Sequence, residues 1–289
     1  MRGLWTTTGA KEPVPLKTRG EDAVEAFEGE CRGSARRPDI ALVIPARNEE
    51  LCLPGVLAQV PPEVTRVVLA DNGSTDATAR VGAALGAEVV SEPIAGYGRA
   101  CLAGLAALRH NPPDLVAFVD ADGSDDLSRL PELIAPILAG SHDLVLGRRV
   151  PVEKGALSCQ QRFGHLLATS LIRLFWGQSY RDLGPMRVIG WESLQRLAMQ
   201  DQGFGWTVEM QVRAVKQGLR MLEIDVDYRR RSAGKSKISR TISGTLRAGS
   251  TILWVIGREL LQRAPKRNNE RIASAVAAGA GIKECGRCR

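Results

Sequence analysis

The chain has 289 residues, of which 44% are hydrophobic and 25% are charged, enough for one large core. The formal charge of +7 is uneven: residues 228–247 carry seven Lys or Arg and no acid, and residues 262–289 carry seven against two. An aromatic content of 4%, with no RNA- or DNA-binding motif, argues against nucleic acid as a partner. The basic strips indicate a local anionic partner, either a ligand or an anionic membrane surface.

Residues 1–38 are rich in Gly, Pro and charge, which predicts a flexible leader with a short helix near 21–28. From Ile40 the pattern changes to short apolar strands that alternate with helical stretches. Strands are predicted over 40–44, 66–70, 87–90, 115–119 and 143–147, and helices over 50–59, 77–85, 99–109 and 127–138. This alternation predicts a single α/β domain over 39–240, with a mostly parallel central sheet flanked by helices.

The rest of the chain contains three more helical patterns and a basic tail. Helices are predicted over 161–177, 204–220 and 242–261, and residues 262–289 are expected to be a flexible tail. The helix over 242–261 is apolar but interrupted by Arg247 and Arg258, so a packing helix and an interfacial helix both fit. No apolar run reaches about 18 residues, and residues 1–15 lack an apolar core of signal-peptide length, so neither a membrane span nor a signal peptide is expected. With six cysteines in no framework spacing, we expect a cytoplasmic protein, peripheral at most on the inner face of the plasma membrane.

Polar and charged groups follow four of the predicted strands, in the sequences PARNEE, DNGSTD, DADGSDD and GRR. Ligands of open α/β sheets bind at this carboxyl edge, although each stretch is also an ordinary turn that caps the next helix. The third stretch is unusual because it places four carboxylates within seven residues. Like charges this close raise one another's pKa unless a cation lies among them. The cluster is therefore either a solvated turn with a helix cap or a metal site.

Several common phosphate and hydrolase motifs are absent. No GxxxxGK[ST] occurs, no GxGxxG follows the first strand, and no GxSxG is present. The three histidines, His110, His142 and His165, are far apart in sequence and lack metal-ligand spacing, so structural or solvated roles are expected.

Taken in order, IPARNEE, VVLADNGSTDAT, GYGRACLAGL, FVDADG and VLGRR resemble the family 2 glycosyltransferases of GT-A fold. The similarity is greatest to the branch of dolichyl-phosphate mannosyltransferase and its bacterial polyprenyl-phosphate relatives, and it covers residues 40–240. The resemblance implies a nucleotide half over 39–150 and an acceptor half over 151–240. It is much less specific for the substrate than for the family.

The resemblance implies a donor site with a Mg²⁺ or Mn²⁺ cofactor. Asp120 and Asp122 match the family's DxD motif, which holds the cation on the diphosphate of a nucleotide sugar. Ser124 stands where relatives often have a glutamine, so it is the candidate third metal ligand. The other residues expected to bind the nucleotide sugar are Pro45, Ala46, Asn48, Glu49, Asp71, Gly98 and Arg99. Whether the donor is a GDP-hexose or a UDP-hexose stays open.

The resemblance also implies an acceptor site. Arg149 closes the GRR after the fifth strand, and Arg162 begins the helix over 161–177. Asp182 and Arg187 match a short Asp-x-x-x-x-Arg segment, and Glu209 lies where relatives often have an acidic residue. YRRRSAGKSKIS resembles the family's Arg-x-x-Gly-x-Ser-Lys loop, with Arg231, Ser236 and Lys237 as acceptor-binding residues; a solvated surface loop is the alternative.

The expected activity is inverting transfer of a hexose to an acceptor, for which a polyprenyl phosphate at the cytosolic membrane face is the first candidate. A phosphate acceptor is already anionic and needs no base, whereas a hydroxyl acceptor would need one, with Asp182 or Glu209 as the candidate. Two readings from other classes stay open: a nucleotidyltransferase, and a non-catalytic module that binds nucleotide sugars or a membrane surface.

Overall fold

The computed structural model describes residues 36–153, 156–233 and 242–262, without the side chains of 159–160 and 242–248. The chain divides into two units, Met1–Pro38 and Asp39–Arg289. The predicted leader helix near 21–28, Ser236, Lys237 and the basic tail from 263 onward lie outside the described residues.

A seven-stranded sheet forms the centre of the second unit. Its strands in chain order are β1 (Ile40–Ala46), β2 (Arg66–Asp71), β3 (Glu88–Ser91), β4 (Leu115–Phe118), β5 (Leu144–Pro151), β6 (Arg187–Gly190) and β7 (Met221–Tyr228). The spatial order is β3-β2-β1-β4-β6-β5-β7, and β6 alone runs antiparallel to its neighbours. The expected α/β class with a mostly parallel sheet is confirmed.

Eight α-helices surround this sheet in the described part of the chain. They are α1 (Leu53–Leu57), α2 (Thr78–Ala84), α3 (Tyr97–Leu108), α4 (Leu130–Leu138), α5 (Cys159–Trp176), α6 (Trp191–Leu197), α7 (Trp206–Lys216) and α8 (Ile242–Leu261). A 3₁₀ turn, Leu127–Arg129, precedes α4 and begins at Asp126, whose side chain accepts a hydrogen bond from the amide of Ser128. The helix expected over 127–138 therefore begins with a capped 3₁₀ turn. The helix expected over 50–59 is shorter than predicted and corresponds to α1 (Leu53–Leu57).

The core has two layers, one on each face of the sheet. In β1, Ala41 and Val43 join one hydrophobic cluster, and Ile40, Leu42 and Ile44 join the other. Every residue of β1 is buried, which is typical of a central parallel strand covered by helices on both faces. This burial explains why β1 is a continuous apolar run rather than an alternating one.

All five strands predicted from the sequence are present, and two further strands were not predicted. β6 has only four residues and follows the irregular segment RDLGPM. β7 alternates acidic and apolar side chains from Glu223 to Tyr228 and lies at the sheet edge, where one face is only partly covered. Short antiparallel insertions and half-exposed edge strands lack the apolar runs that identified the other five.

Helix α8 belongs to the same unit as the sheet. Val255 and Ile256 are buried in the core cluster that also contains Ile172 of α5. The interpretation of 242–261 as a packing helix is therefore correct for one face, while Leu253 and Trp254 on its other side are exposed. Among the helices of the described residues, none combines the length and the apolar character needed to cross a bilayer.

Candidate active site

The carboxyl ends of β1, β2 and β4 meet at one edge of the sheet because the three strands are parallel neighbours. Ala46 at the end of β1 pairs in register with Asp71 at the end of β2. The turn that follows β4 contains Asp120 and Asp122. The structure thus brings the first, second and third polar stretches of the sequence to one edge, as the strand pattern predicted.

The turn after β1 is connected to the turn after β2 through Asn48. Asn48 adopts a left-handed backbone conformation with φ of 52°, which asparagine tolerates better than most residues. Its amide donates to Ser74 Oγ at 2.9 Å, and its side-chain Oδ1 accepts from the amide of Thr75 at 2.7 Å. Asn48 therefore organises both turns, and a direct contact with a nucleotide stays a prediction.

The floor of this edge is formed by the ends of β1 and β2. Pro45 and Ala46 are buried within β1 and present backbone rather than polar side chains. Asp71 is 8% exposed, and its Oδ1 atom is buried without a hydrogen-bond partner. A buried carboxylate oxygen without a donor is costly, so Asp71 is well suited to accept from a ribose hydroxyl or a base N–H.

The N-terminus of α3 is held by a loop, residues 201–203, that no sequence pattern indicated. The amide of Gly98 donates to the carbonyl of Gly203 at 3.0 Å, and that of Arg99 to the carbonyl of Gln202 at 3.1 Å. A Cβ at Gly98 would overlap the carbonyl of Asp201, so only glycine permits this approach. Gly98 thus has a packing role here, and its predicted contact with the nucleotide is not through this amide.

Tyr97, the first residue of α3, reaches the acidic turn, which we define as residues 120–126. Its hydroxyl donates to Asp120 Oδ1 at 3.1 Å. Tyr97 was not among the predicted site residues, although it lies within the GYGRA stretch of the family resemblance. It is the residue through which α3 orients the first carboxylate of the DxD motif.

Two of the four carboxylates in the acidic turn, those of Asp120 and Asp125, have raised pKa values. Burial, followed by the charges of Asp125 and Asp122, raises the pKa of Asp120 well above its usual value. Burial and the charge of Asp122 also raise the pKa of Asp125 to about 7, against the lowering effect of its hydrogen bond from the Asp120 amide. The repulsion inferred from the sequence is therefore present in the fold, and a bound cation would relieve it.

The candidate third ligand, Ser124, lies buried in this turn. Its amide donates to Asp122 Oδ1 at 3.0 Å, which fixes that carboxylate. In the residues that the structure describes, no three His, Cys, Asp or Glu side chains are close enough to hold a metal ion alone. Asp125, whose Oδ1 is buried without a partner, is a further oxygen donor that the predicted set left out.

A basic loop, residues 229–233, covers the acidic turn. The amide of Arg229 donates to the carbonyl of Ser124, and that of Ser232 to the carbonyl of Asp122, each at 3.0 Å. Arg231 Nη2 lies 2.6 Å from both carboxylate oxygens of Glu49 and 3.8 Å from Asp122 Oδ2. The structure thus brings Arg231 and Glu49 into one site, although they are 182 residues apart in sequence.

Arg149 and Asp182 form a buried ion pair beside the acidic turn. Arg149 Nε and Nη2 donate to the two oxygens of Asp182 at 2.8 and 2.9 Å, and its guanidinium stacks over Tyr228 at 5.1 Å. His165 Nδ1 lies 3.1 Å from Asp182 Oδ1. Burial alone would raise the pKa of Asp182, but Arg149 and His165 outweigh it and hold that pKa well below its usual range.

His165 and Tyr228 join this cluster without a signal in the sequence. His165 was expected to be structural or solvated, yet its side chain is within 3.2 Å of Arg149 Nη2. Its place three residues after Arg162 on α5 was the only available hint. Arg162 itself lies exposed in the first turn of α5, which begins after the Ser158 cap.

Two predicted site residues have structural partners instead. Arg187 is 1% exposed, and its donors bond the backbone carbonyls of Pro185, Gly184 and Thr207. Glu209 is fully buried, accepts from the amides of Gln200 and Asp201, and pairs with Arg213 and Arg258. The contacts argue against acceptor binding by Arg187 and proton transfer by Glu209, since neither side chain has a free atom directed to the site edge.

Comparison with known proteins agrees with this geometry. The family model described as Glycosyl transferase family 2 matches residues 41–192. An uncharacterized glycosyltransferase of Mycobacterium tuberculosis is 41% identical over 207 residues, which is 72% of this chain and 93% of that protein. The undecaprenyl-phosphate mannosyltransferase of Micrococcus luteus is 30% identical over 220 residues, or 71% and 89% of the two chains.

Solved structures agree in fold. Glucosyl-3-phosphoglycerate synthase from Mycobacterium tuberculosis, in complex with Mn²⁺, uridine diphosphate and glucosyl-3-phosphoglycerate, superposes with a TM-score of 0.63 at 24% identity. The match covers 86% of this chain and 87% of that one. The fold and the acidic sheet edge define a glycosyltransferase of the GT-A class. More specifically, the chain belongs to glycosyl transferase family 2.

Proposed function

We propose that this glycosyltransferase moves a hexose from a nucleoside diphosphate sugar to a polyprenyl phosphate, with inversion at the anomeric carbon. The acceptor assignment rests on one observation: the carboxylates of both candidate bases, Asp182 and Glu209, are already bound by cations or backbone amides. Asp182 is bound through both oxygens by Arg149, and Glu209 is fully buried among cations and amides. Because cations and amides hold both of these carboxylates, the proposal favours an acceptor that is already an anion and needs no proton removed.

The donor half of the proposal rests on the acidic sheet edge. Asp120 and Asp122 would hold Mg²⁺ or Mn²⁺ together with diphosphate oxygens, as Mg²⁺ often combines one or two carboxylates with substrate phosphates. The bound cation would neutralise charge on the leaving diphosphate. The raised pKa values of Asp120 and Asp125 fit this occupancy. Asp71, with its unpartnered buried oxygen, would accept from the nucleoside.

The acceptor half rests on arginines that surround the acidic turn. Nη1 of Arg149 has no hydrogen bond in the described part of the chain, whereas its Nε and Nη2 are held by Asp182. A guanidinium fixed on one side and open on the other is well suited to bind a phosphate oxygen. Arg231 and the exposed Arg162 would supply the remaining positive charge. Asp182 would then orient Arg149 rather than take a proton.

A hydroxyl acceptor is the second candidate, and one observation favours it. His165 lies 3.1 Å from Asp182, and an imidazole oriented by a carboxylate is a common general base. Against it, the Nε2 atom that would take the proton lies 2.9 Å from Arg149 Nη2. The solved glucosyl-3-phosphoglycerate synthase was crystallised with phosphoglyceric acid, so that compound is a suitable test acceptor.

The test has two stages. First, GDP- and UDP-hexoses are incubated with the protein and Mg²⁺ or Mn²⁺, and slow release of nucleoside diphosphate identifies the donor. That donor is then offered a prenyl phosphate, the matched prenyl alcohol or phosphoglyceric acid. We expect transfer to the prenyl phosphate alone. Release of pyrophosphate from a nucleoside triphosphate would instead indicate a nucleotidyltransferase, and no turnover with any donor would indicate a binding module.

Variants separate the two acceptor classes. Arg162→Ala should lose transfer to the prenyl phosphate while keeping donor hydrolysis, because Arg162 is proposed to bind only the acceptor. Arg231→Ala should lose transfer as well, and its donor hydrolysis should also fall, because Arg231 pairs with Glu49 and lies 3.8 Å from Asp122. Arg173→Ala, an exposed arginine on the same helix as Arg162, is the matched control and should retain transfer. Full transfer in both site variants, or transfer to a hydroxyl acceptor that disappears in His165→Gln, would overturn the lipid-phosphate proposal.

A further inference from the structure

Tyr228, the last residue of β7, is a buried aromatic residue that the core does not use. It is 6% exposed but belongs to neither of the two hydrophobic clusters. Tyr180, by contrast, lies in one of these clusters, and its hydroxyl bonds Gln211 and Met221. Among the described residues, the hydroxyl of Tyr228 has no hydrogen bond, and its ring lies against the guanidinium of Arg149. The ring is therefore the part of Tyr228 with a defined partner.

The strand pattern explains why Tyr228 faces Arg149. On β7, Val226 and Tyr228 are buried, whereas the residue between them is exposed. On β5, Arg149 pairs in register with Val226, and Pro151 pairs with Tyr228. Because side chains alternate along a strand, Arg149 and Tyr228 lie on the same face of the sheet.

The contact fixes the plane of the Arg149 guanidinium. Its central carbon lies 5.1 Å from the centroid of the Tyr228 ring, within the range of a cation–π interaction. The edge formed by Nε and Nη2 is held by Asp182 at 2.8 and 2.9 Å. In the described part of the chain, one face and one edge of the group are thus occupied, and the Nη1 side remains for a ligand. A group that is already oriented loses less freedom when it binds.

Tyr228 is also attached to the acidic turn through its main chain. It forms an isolated antiparallel bridge with Asp125. The amide of the next residue, Arg229, donates to the carbonyl of Ser124 at 3.0 Å, and the amide of Val152 donates to the carbonyl of Tyr228 at 3.1 Å. One residue thus connects the proposed metal turn with the proposed acceptor cation.

We infer that Tyr228 is a positioning residue that acts through Arg149: its ring fixes the plane of the guanidinium, beside the acidic turn, for binding the acceptor phosphate. The inference deepens the proposed function and rests on it for the identity of that ligand. A residue that only fills space could be replaced by any apolar side chain of similar size. A residue that acts through its π face must stay aromatic, because the attraction comes from the ring quadrupole.

Calorimetric titration of the full chain with a short, water-soluble prenyl phosphate, without donor, tests the inference. Tyr228→Leu should weaken the affinity about tenfold, because a desolvated cation–π contact is lost. Tyr228→Phe keeps the ring and should stay within about twofold of the wild type. A trifluorinated phenylalanine in place of Tyr228 keeps the ring shape but weakens its negative face, so it should behave like the leucine variant. Thermal unfolding checks that each variant is folded.

Two comparisons separate positioning from general packing. In the Arg149→Lys background, Tyr228→Leu should change the affinity by about twofold or less, because the ring then has no guanidinium plane to hold. Trp254→Leu is the matched control, since it removes the contact of Arg258 with the Trp254 ring, 4.9 Å from its centroid on α8, and should leave the affinity unchanged. Slow donor hydrolysis should also be unchanged in Tyr228→Leu, because the acidic turn is held through main-chain atoms.

Each outcome decides the inference. Wild-type affinity in Tyr228→Leu overturns it, and so does an equal loss in Tyr228→Phe, which would assign the effect to the hydroxyl. A loss that persists at full size in the Arg149→Lys background, or a parallel loss of donor hydrolysis, would reduce Tyr228 to packing. If the wild type binds the prenyl phosphate but transfers no hexose to it, the proposed function fails while the affinity comparison still stands. If the prenyl phosphate does not bind, phosphoglyceric acid replaces it as the phosphate probe, and failure of both to bind overturns the inference.

Discussion

At the scale of single residues, the acidic turn combines a proposed role in donor binding with a cost to stability. Asp122 lies beside Asp120 and Asp125, whose pKa values are raised first by burial and then by neighbouring carboxylates. A group of like charges that a ligand would neutralise is less stable without that ligand. The same residues can therefore be essential for activity and unfavourable for folding.

Asp122→Asn should abolish transfer and leave the metal-free protein at least as stable as the wild type. The asparagine keeps an oxygen to accept from the Ser124 amide but removes one of the repelling charges. We expect no loss of free energy of unfolding in excess chelator, and a gain of up to about 1 kcal/mol. Thermal unfolding of both proteins in chelator checks stability. Full wild-type turnover in chelator would contradict the metal proposal.

Tyr97→Phe should weaken the donor site without unfolding it. The hydroxyl of Tyr97 donates to Asp120 at 3.1 Å, and a hydrogen bond to a charged group contributes about 1.5–3 kcal/mol, so about a tenfold loss in kcat/KM is expected. The apparent affinity for Mn²⁺ should fall with it. Tyr180→Phe is the control, since its hydroxyl bonds Gln211 and Met221 within the core. Unchanged Mn²⁺ affinity in Tyr97→Phe would exclude the positioning role.

The Arg149–Asp182 pair makes a pH-dependent contribution to stability. The folded pKa of Asp182 is held well below the value of about 3.9 that an unfolded aspartate has. A lowered pKa means that the contribution is complete above about pH 4 and is lost as the pH falls further. Asp182→Asn should cost about 3 kcal/mol at pH 7, because it leaves Arg149 buried without its partner.

Denaturant titrations from pH 7 down to the acid limit would check this. The difference between the wild type and Asp182→Asn should shrink below about pH 4. Asp143→Asn is the control, because Asp143 pairs with the half-exposed Arg220 at 2.8 Å and such surface pairs contribute about 0–1 kcal/mol. A difference that stays constant or grows toward low pH would refute the ionised Asp182.

At the scale of elements, α7 and α8 are joined by a buried network of charges. Glu259 of α8 accepts from Arg213 Nε at 2.9 Å and from Lys216 Nζ at 2.8 Å, both on α7. Arg258 of α8 pairs with Glu209, whose other oxygen holds the loop before α7. Through this loop, which also contacts Gly98, the position of α8 is connected to the start of α3.

Glu259→Ala should therefore be strongly destabilising. Removing one carboxylate leaves Arg213 and Lys216 buried beside each other, and breaking a buried network in this way costs about 3–5 kcal/mol. Urea unfolding gives the value. The matched control is Glu132→Ala, whose pair with Arg129 is solvent-exposed on both sides and should change stability by about 0.5 kcal/mol or less. Equal effects of the two substitutions would show that the network is not structural.

The sequence predicted elements where burial imposed a clear pattern. The five apolar strands lie in the sheet as expected, because strands covered on both faces must be continuously apolar. β6 and β7 were not predicted, because a four-residue antiparallel strand and a half-covered edge strand contain no continuous apolar run. Their omission mattered for the site, since β7 ends at Tyr228 and leads into the basic loop over the acidic turn.

At the scale of the whole molecule, the sequence predicted which residues lie at the carboxyl edge of the sheet, but not all of the distant residues that contact them. Asp120 and Asp122 could be placed there because a strand end fixes where the next residues lie. The Arg231–Glu49 contact and the Arg149–His165–Asp182 cluster depend on how distant segments fold back over that edge. The structural partners of Glu209 and Arg187 were missed for the same reason, since a charged residue's partners are set by tertiary packing and not by local pattern.

The last prediction concerns the N-terminal unit. Residues 1–37 are rich in Gly, Pro and charge and lack the apolar periodicity needed to dock on a core. The sheet begins at Ile40, and its first strand is held by β2 and β4. Deleting residues 1–37 should therefore change the free energy of unfolding by less than about 0.5 kcal/mol and leave transfer intact. Thermal unfolding and the transfer assay on the truncated chain measure both. A large fall in melting temperature would show that this segment packs on the domain, and loss of transfer at unchanged stability would assign it a role in the site.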